Sequence, residues 1–383
     1  MLESRHRVRA RRSTEVALLA LLAVAAVGCA GTGPADEAVP ASPTTSAAVA
    51  APAGDPELAA AAQELLADVG AADEPGCAVG VSQDGAVLYT GGHGVADLAT
   101  GRPLDEHSTF DIASVSKQFT AAALVLLAVE GVVDLSDDIR AYVPELPDQG
   151  VTVTLEHLLH HTGGLPEYTD LLAEEFDDTD VTTTEQALEA IVDAPPSGVD
   201  PGTAFEYSNT GYFLLGLVVE RATGQPYREV LSERLFDPLG MEASDVRDDA
   251  DLHVDGGAEG YVVDRGGSFL DGTSNWEQVG DGAVWSSVRD LLLWADNLLT
   301  FEVGGSVLRD GLLTPGSIPD EDGVGYGGGL TLGDGLVEHS GSWAGFLSDL
   351  RVEPSSGTAV VALCNRDDGD AYGLTEELLE LAG

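Results

Sequence analysis

A chain of 383 residues, 44% of them hydrophobic, can bury a large core in one domain or in two closely packed ones. Its 66 acidic residues against 17 basic ones give a formal net charge of −49, a surface that repels nucleic acid and anionic lipid headgroups and argues against both as partners. Such a surface suits a salt-rich setting, where screening relieves its self-repulsion.

The first fifteen residues, MLESRHRVRARRSTE, are basic, and the apolar run VALLALLAVAAV follows at 16–27. That order reads as an export signal over 1–28, and the run is too short to span a bilayer comfortably. Cys29 follows small residues directly, as in a lipoprotein signal, and would become the lipidated first residue of the mature chain. An ordinary signal peptide cleaved near Ala30 is the alternative. With lipidation, the protein is expected on the outer face of the cytoplasmic membrane. Residues 29–54 are rich in Pro, Ala, Ser and Thr without periodicity, a flexible tether ahead of a domain over 55–383.

Asp55 can cap a helix that begins at Pro56 and ends at Gly70. CAVGVS and AVLYTG, on either side of QDG, read as a hairpin. The same texture returns near the C-terminus in GLTLGDGLVEHS, GFLSDLRVE and GTAVVALC, three more strands, followed by a closing helix in GLTEELLELA. The simplest architecture is α+β: an antiparallel five-stranded sheet built from both chain ends (about 55–110 and 320–383), flanked by helices, with a mostly helical insertion over about 111–319. Cys77 and Cys364 fall in the first and last strands. They pair in an exported protein if those strands are neighbours, and are otherwise buried free thiols.

Lys117 is the only lysine in the chain. It stands in ASVSKQFTAAALVLLAVE, which is apolar on nearly every side and reads as a buried helix. Ser114 lies one turn earlier on the same face, in the first turn, where free N–H groups and the helix dipole favour a developing oxyanion. Burial lowers a lysine's proton affinity, and a neutral amine can take a proton from a hydroxyl. Serine as a cap and lysine reaching out to solvent is the plainer account of these four residues. Three more stretches bear on the choice. Tyr207, Ser208 and Asn209 precede an apolar helix, where Asn209 is either its N-cap or a site residue. His339-Ser340-Gly341 ends a strand candidate, and LEHLLHHTGGLPEY ends a helix at Gly163-Gly164.

In SVSK at 114–117, YSN at 207–209 and HSG at 339–341, the chain resembles the serine β-lactamase and penicillin-binding-protein superfamily. It is most similar to the branch that holds class C β-lactamases, D,D-carboxypeptidases, D-aminopeptidases and related esterases. HTGGLP at 161–166 and GDGAVWSSVRDLLLWADNLL at 280–299 also look like family stretches. The resemblance covers about 56–383 and implies a β-lactamase/transpeptidase-like fold. It implies a serine hydrolase that forms an acyl-enzyme on an ester or amide, be it esterase, D,D-peptidase or β-lactamase. Ser114 would be the nucleophile, and Lys117 and Tyr207 would share the proton transfers. Asn209 would bond Lys117 and the substrate amide. His339 stands where the family often has lysine, and would donate to the Tyr207 oxygen or steer a substrate carboxylate. The backbone N–H groups of Ser114 and Ser342 would form the oxyanion hole.

No cofactor or metal is expected. His160 and His161 point about a quarter turn apart, a poor metal pair without further ligands. The glycine pairs and the Gly327-Gly328-Gly329 run lack a phosphate-loop context, and the acidic runs lack EF-hand spacing. The remaining alternative is a non-catalytic surface sensor or binding protein that uses the same pocket. From the charge alone, lowering salt from molar to about 0.01 M, where the screening length grows to about 30 Å, lowers the melting temperature by several degrees; a thermal scan at the two salt levels measures it, and an unchanged midpoint contradicts the electrostatic reading.

Overall fold

The computed structural model describes residues 56–383, apart from 149, 177–179, 253, 255 and 273. The expected export signal, tether, Cys29 and the Asp55 cap lie outside the described residues. Helix α1 (Pro56–Asp68) buries Leu58, Ala62 and Leu66, one every four residues along one face. Strands β1 (Cys77–Gln83) and β2 (Ala86–His93) follow. Asp84 and Gly85 join them, both with positive φ (48° and 75°), as a two-residue hairpin turn of right-handed twist requires.

Three helices of the long middle stretch matter for the site and its support: α2 (Lys117–Val129), α3 (Asn209–Thr223) and α4 (Val288–Thr300). The C-terminal part supplies β3 (Gly325–Tyr326), β4 (Thr331–Gly333), β5 (Leu336–Trp343), β6 (Phe346–Glu353), β7 (Thr358–Cys364) and helix α5 (Ala371–Ala382). The sheet order is β3-β4-β5-β6-β7-β1-β2, antiparallel throughout. The five strands expected from both chain ends form its body. GLTLGDGLVEHS is itself a hairpin: Asp334 and Gly335 take positive φ and split it into β4 and β5, and with β3 this lengthens one edge to seven strands.

One face of the sheet is covered by α1 and α5, whose Leu58, Leu66, Leu374 and Leu378 pack on Val79, Val81, Val360 and Ala362. The residues between these, Ala78, Ala359, Val361 and Leu363, point the other way into the larger core with Val288, Leu291 and Leu292 of α4. A Cβ at Gly80 would lie 2.5 Å from a Val288 methyl, so α4 rests on bare backbone there. Burial on both faces explains why β1 and β7 read as continuous apolar runs rather than alternating ones. Helix α4 belongs to the insertion by sequence and to the sheet by packing. The insertion also holds two small sheets, Thr109–Asp111 with Val284–Ser287 and Asp245–Val246, and Tyr261–Val263 with Phe269–Asp271. Strands of two to four residues are too short to print a period.

Cys77 and Cys364 stand directly opposite each other in β1 and β7 and form a disulfide, with Cα atoms 4.0 Å apart. This corrects the expectation of a lipid anchor as far as the described residues reach: their cysteines are bonded to each other and leave no free thiol for attachment. No single described helix is long and apolar enough to cross a membrane.

The disulfide closes a loop of 287 residues. In the chain-entropy account such a loop is worth about 5.7 kcal/mol, gained by restricting the unfolded chain, an upper bound on the stabilisation. Cys77→Ala/Cys364→Ala should keep the sheet and lower unfolding free energy by about 2–5 kcal/mol in a urea titration.

Candidate active site

Ser114 sits in a 3-10 turn (Ala113–Ser116) that feeds directly into α2. The turn starts from a non-glycine residue in the left-handed region, Ala113 at φ 48°, a conformation that needs outside support. Asp111 gives it, accepting a hydrogen bond from Ala113 N at 2.8 Å. β5 and β6 press on the same turn. Ser348 Oγ donates to Ile112 O at 2.7 Å, and a Cβ on Gly341 would lie 2.6 Å from that oxygen and 2.9 Å from Ser114 N. Only glycine lets the HSG strand come this close to the Ser114 amide.

Lys117 is fully buried in the first turn of α2. Its Nζ lies 3.1 Å from Ser114 Oγ, 2.9 Å from Asn209 Oδ1 and 2.7 Å from the Asp281 main-chain oxygen. The last two are carbonyl oxygens, which only accept, so they fix two of the lysine's hydrogens. The third position, toward Ser114, can hold either an N–H or a lone pair. Proton exchange on this nitrogen is thereby aimed at one oxygen.

Asn209 opens α3, but Ser208 caps the helix, its Oγ accepting from Gly211 N at 3.1 Å. The asparagine amide is thus free to meet Lys117. Sequence reasoning missed Glu167, whose Oε2 accepts from Ser208 Oγ, Asn209 N and Thr210 N. A carboxylate on free N–H groups at a helix start is favourable, and here it pins the helix end that carries Asn209. No local pattern announces a contact 42 residues away.

Tyr207 is 44% exposed, and its ring lies 5.0 Å from Lys117 Nζ. Its hydroxyl makes no hydrogen bond among the described residues. His161 is buried and faces the Tyr207 ring at 4.4 Å while its Nδ1 accepts from Ser208 N at 3.0 Å. Burial, with Lys117 and His339 nearby, holds it neutral. It packs under the Tyr-Ser-Asn loop.

His339 departs from its expected role. Its Nδ1 lies 2.6 Å from Ser340 O, a pure acceptor, so Nδ1 carries the proton and Nε2 accepts from Tyr326 OH at 2.9 Å. Burial, reinforced by the charge of Lys117, pushes its pKa down to about 4. At neutral pH it is an uncharged ring with both nitrogens engaged. It neither anchors a carboxylate by charge nor has a proton for Tyr207.

Ser114, Tyr207, Asn209, His339 and Ser342 line one cavity of about 670 Å³, with Lys117 directly behind Ser114. Trp343 lines it as well and packs edge-on against Trp276, ring centres 5.0 Å apart. Among the described residues no cluster of His, Cys, Asp and Glu is arranged to hold a metal.

The Beta-lactamase family model matches residues 58–382. The chain belongs to the beta-lactamase family. It is 28% identical over 314 residues to penicillin-binding protein 4* of Bacillus subtilis (strain 168), covering 76% of this chain and 68% of that protein. It is 31% identical over 278 residues to a D-aminopeptidase of Brucella anthropi, covering 71% of this chain but only 52% of the relative, about half its length. Among solved structures, the octameric penicillin-binding protein homologue from Pyrococcus abyssi superposes with a TM-score of 0.74 at 26% identity, over 85% of this chain and 76% of that one. A D-stereospecific amidohydrolase from Streptomyces sp. gives 0.70 at 26% identity, over 83% and 97%. This member of the beta-lactamase family is a serine hydrolase, of the type that acts on esters and amides. With its cross-strand disulfide, the family domain here is an exported one.

The buried, neutral His339 has a measurable consequence. Its folded pKa lies below the ordinary value near 6.5, so between about 6.5 and 4 the unfolded chain binds the extra proton. Its contribution is complete above about pH 6.5 and is lost as pH falls toward 4. Asp111, Asp281 and Asp349, raised by burial to about 6, oppose this slope in the same range. The comparison is therefore parent against His339→Gln by urea titration at pH 7 and pH 4.5: the stability gap between them should be smaller, or reversed, at the lower pH.

Proposed function

We propose that Ser114 is the nucleophile of an acyl-enzyme hydrolase whose substrates are esters or amides with no required carboxylate. The observation that carries this is the Lys117 nitrogen, held by two carbonyls so that its remaining position meets Ser114 Oγ at 3.1 Å. Through that position the nitrogen takes the Ser114 proton while Oγ attacks the carbonyl carbon. The N–H groups of Ser114 and Ser342 hold the oxyanion. Tyr207, whose hydroxyl is open to the cavity, returns a proton to the leaving group and then activates the water that releases the acyl group. Asn209 keeps Lys117 aimed and meets the substrate amide.

The lack of a carboxylate requirement rests on charge. Among the described residues that line the cavity, the basic ones are Arg247 and His339. His339 is neutral, and Arg247 directs its guanidinium to the main-chain oxygens of Ala250, Leu252 and Ser274. Neither offers a free cation. Amide cleavage is further supported by the D-aminopeptidase and D-stereospecific amidohydrolase names of the relatives. The same reading assigns the hydrolase to residues 55–383, behind an export signal over 1–28 and a tether over 29–54, with its work done outside the cytoplasmic membrane.

Turnover of p-nitrophenyl acetate and of an amide panel in molar salt tests the assignment. Ser114→Ala should abolish turnover and labelling by a fluorophosphonate. Lys117→Arg should lose 100-fold or more in kcat/KM, about 2.7 kcal/mol of transition-state stabilisation, because arginine keeps its proton. An arginine variant within a few-fold of the parent would show that the lysine supplies only charge. Ligand binding without labelling would instead favour a sensor that uses the same pocket.

A further inference from the structure

We propose that Asp281, with Tyr168, Trp276 and Trp343, forms a subsite for a positively charged amino group on the acyl part of the substrate; the assignment rests on the hydrolase reading above. Asp281 lines the cavity and is only 9% exposed. Its Oδ2 accepts from Tyr168 OH at 2.8 Å, and among the described residues no cation is paired with the carboxylate itself. Lys117 attracts it from nearby, yet the lysine's three hydrogen-bonding positions go to Ser114, Asn209 and the Asp281 main chain. Arg247 offsets Asp111, the other buried carboxylate of this wall. Asp281 is left without a cation of its own, and Asp111 and Glu167 add negative potential around it. Burial outweighs the pull of Lys117 and lifts its carboxyl to about 6, the mark of an anion that an incoming cation would stabilise.

The neighbouring surface suits the same ligand. Tyr168 packs 6.1 Å from Trp276, and Trp276 packs 5.0 Å from Trp343, so the wall beside the carboxylate is aromatic. Aromatic faces attract ammonium groups, most strongly where water is excluded. Position completes the case. Ser114 and Asp281 line the same cavity, and the Asp281 main chain is tied to the lysine nitrogen that meets Ser114 Oγ, so an amino group held at Asp281 shares one space with the reacting serine. The net charge of −49 also draws cations toward the molecule from a distance. A carboxylate or an uncharged acyl cap placed here would face Asp281 with nothing to offer it.

Binding to the Ser114→Ala protein tests the subsite independently of turnover. Calorimetry at fixed salt compares tyrosine amide, in both enantiomers, with its N-acetyl derivative and with 3-(4-hydroxyphenyl)propanamide, which has no amino group. At least one enantiomer should bind tenfold or more tightly than either uncharged analogue, and adding Asp281→Asn should reduce that preference to about twofold or less. Equal affinity for the charged and uncharged amides, or a preference that survives Asp281→Asn, overturns the proposal. With Ser114 restored, kcat/KM for the same three amides should follow the same order. Ser114-dependent turnover without discrimination sinks the subsite and leaves the hydrolase standing; selective binding with no turnover of any amide or ester does the reverse.

Discussion

The site is organised around one nitrogen. Lys117 Nζ is buried, and each of its three hydrogen-bonding directions ends on an oxygen from a different part of the chain: the turn before α2, the start of α3, and the loop before α4. A buried ammonium left short of partners would be expensive, so these three segments are held in register by the demand of a single group. That demand also gives the site its direction. Two carbonyl acceptors leave a single place where the proton can be exchanged, and Ser114 occupies it.

The surroundings keep those three oxygens where they are. Asp111 holds the left-handed Ala113 ahead of Ser114, and Gly341 lets β5 lie against the Ser114 amide. Glu167 fixes the start of α3, and His161 supports the Tyr207 loop from below. Asp281 contributes twice, its main chain to Lys117 and its carboxylate to the cavity wall. The sheet supplies rigidity: β5 and β6 are central strands in it, so the residues they present to Ser114 move little.

Much of this was legible in the sequence. The two chain ends carry matching apolar strands, which places both in one sheet; whether the Cys77 and Cys364 strands are neighbours stayed open in the sequence, and the structure pairs them. The lone lysine, its serine one turn away, and the Tyr-Ser-Asn and His-Ser-Gly stretches stand out in the sequence, and the structure gathers them at one cavity. Other parts left no local trace. Glu167 and His161 act across more than forty residues, and the strands of the small sheets are too short for periodicity. His339 was legible as a position and not as a charge, because its protonation depends on burial and on Tyr326. The Asp334-Gly335 turn is visible as residues, but the apolar pattern continues on both sides of it and masks the break between β4 and β5.

The pairing of β1 with β7 also governs how the molecule is made. A strand near the start of the domain is completed only by one that ends at residue 364, so the nascent chain carries β1 and β2 without their partner until nearly all of it has been synthesised. Contacts of such long sequence separation form late and slowly. β5 and β6, which press on the Ser114 turn, belong to the same late segment. A chain truncated before residue 336 would hold Ser114, Lys117, Tyr207 and Asn209 yet lack the strand that lies against the Ser114 amide, so the cavity around Ser114 comes into being only with the last part of the chain.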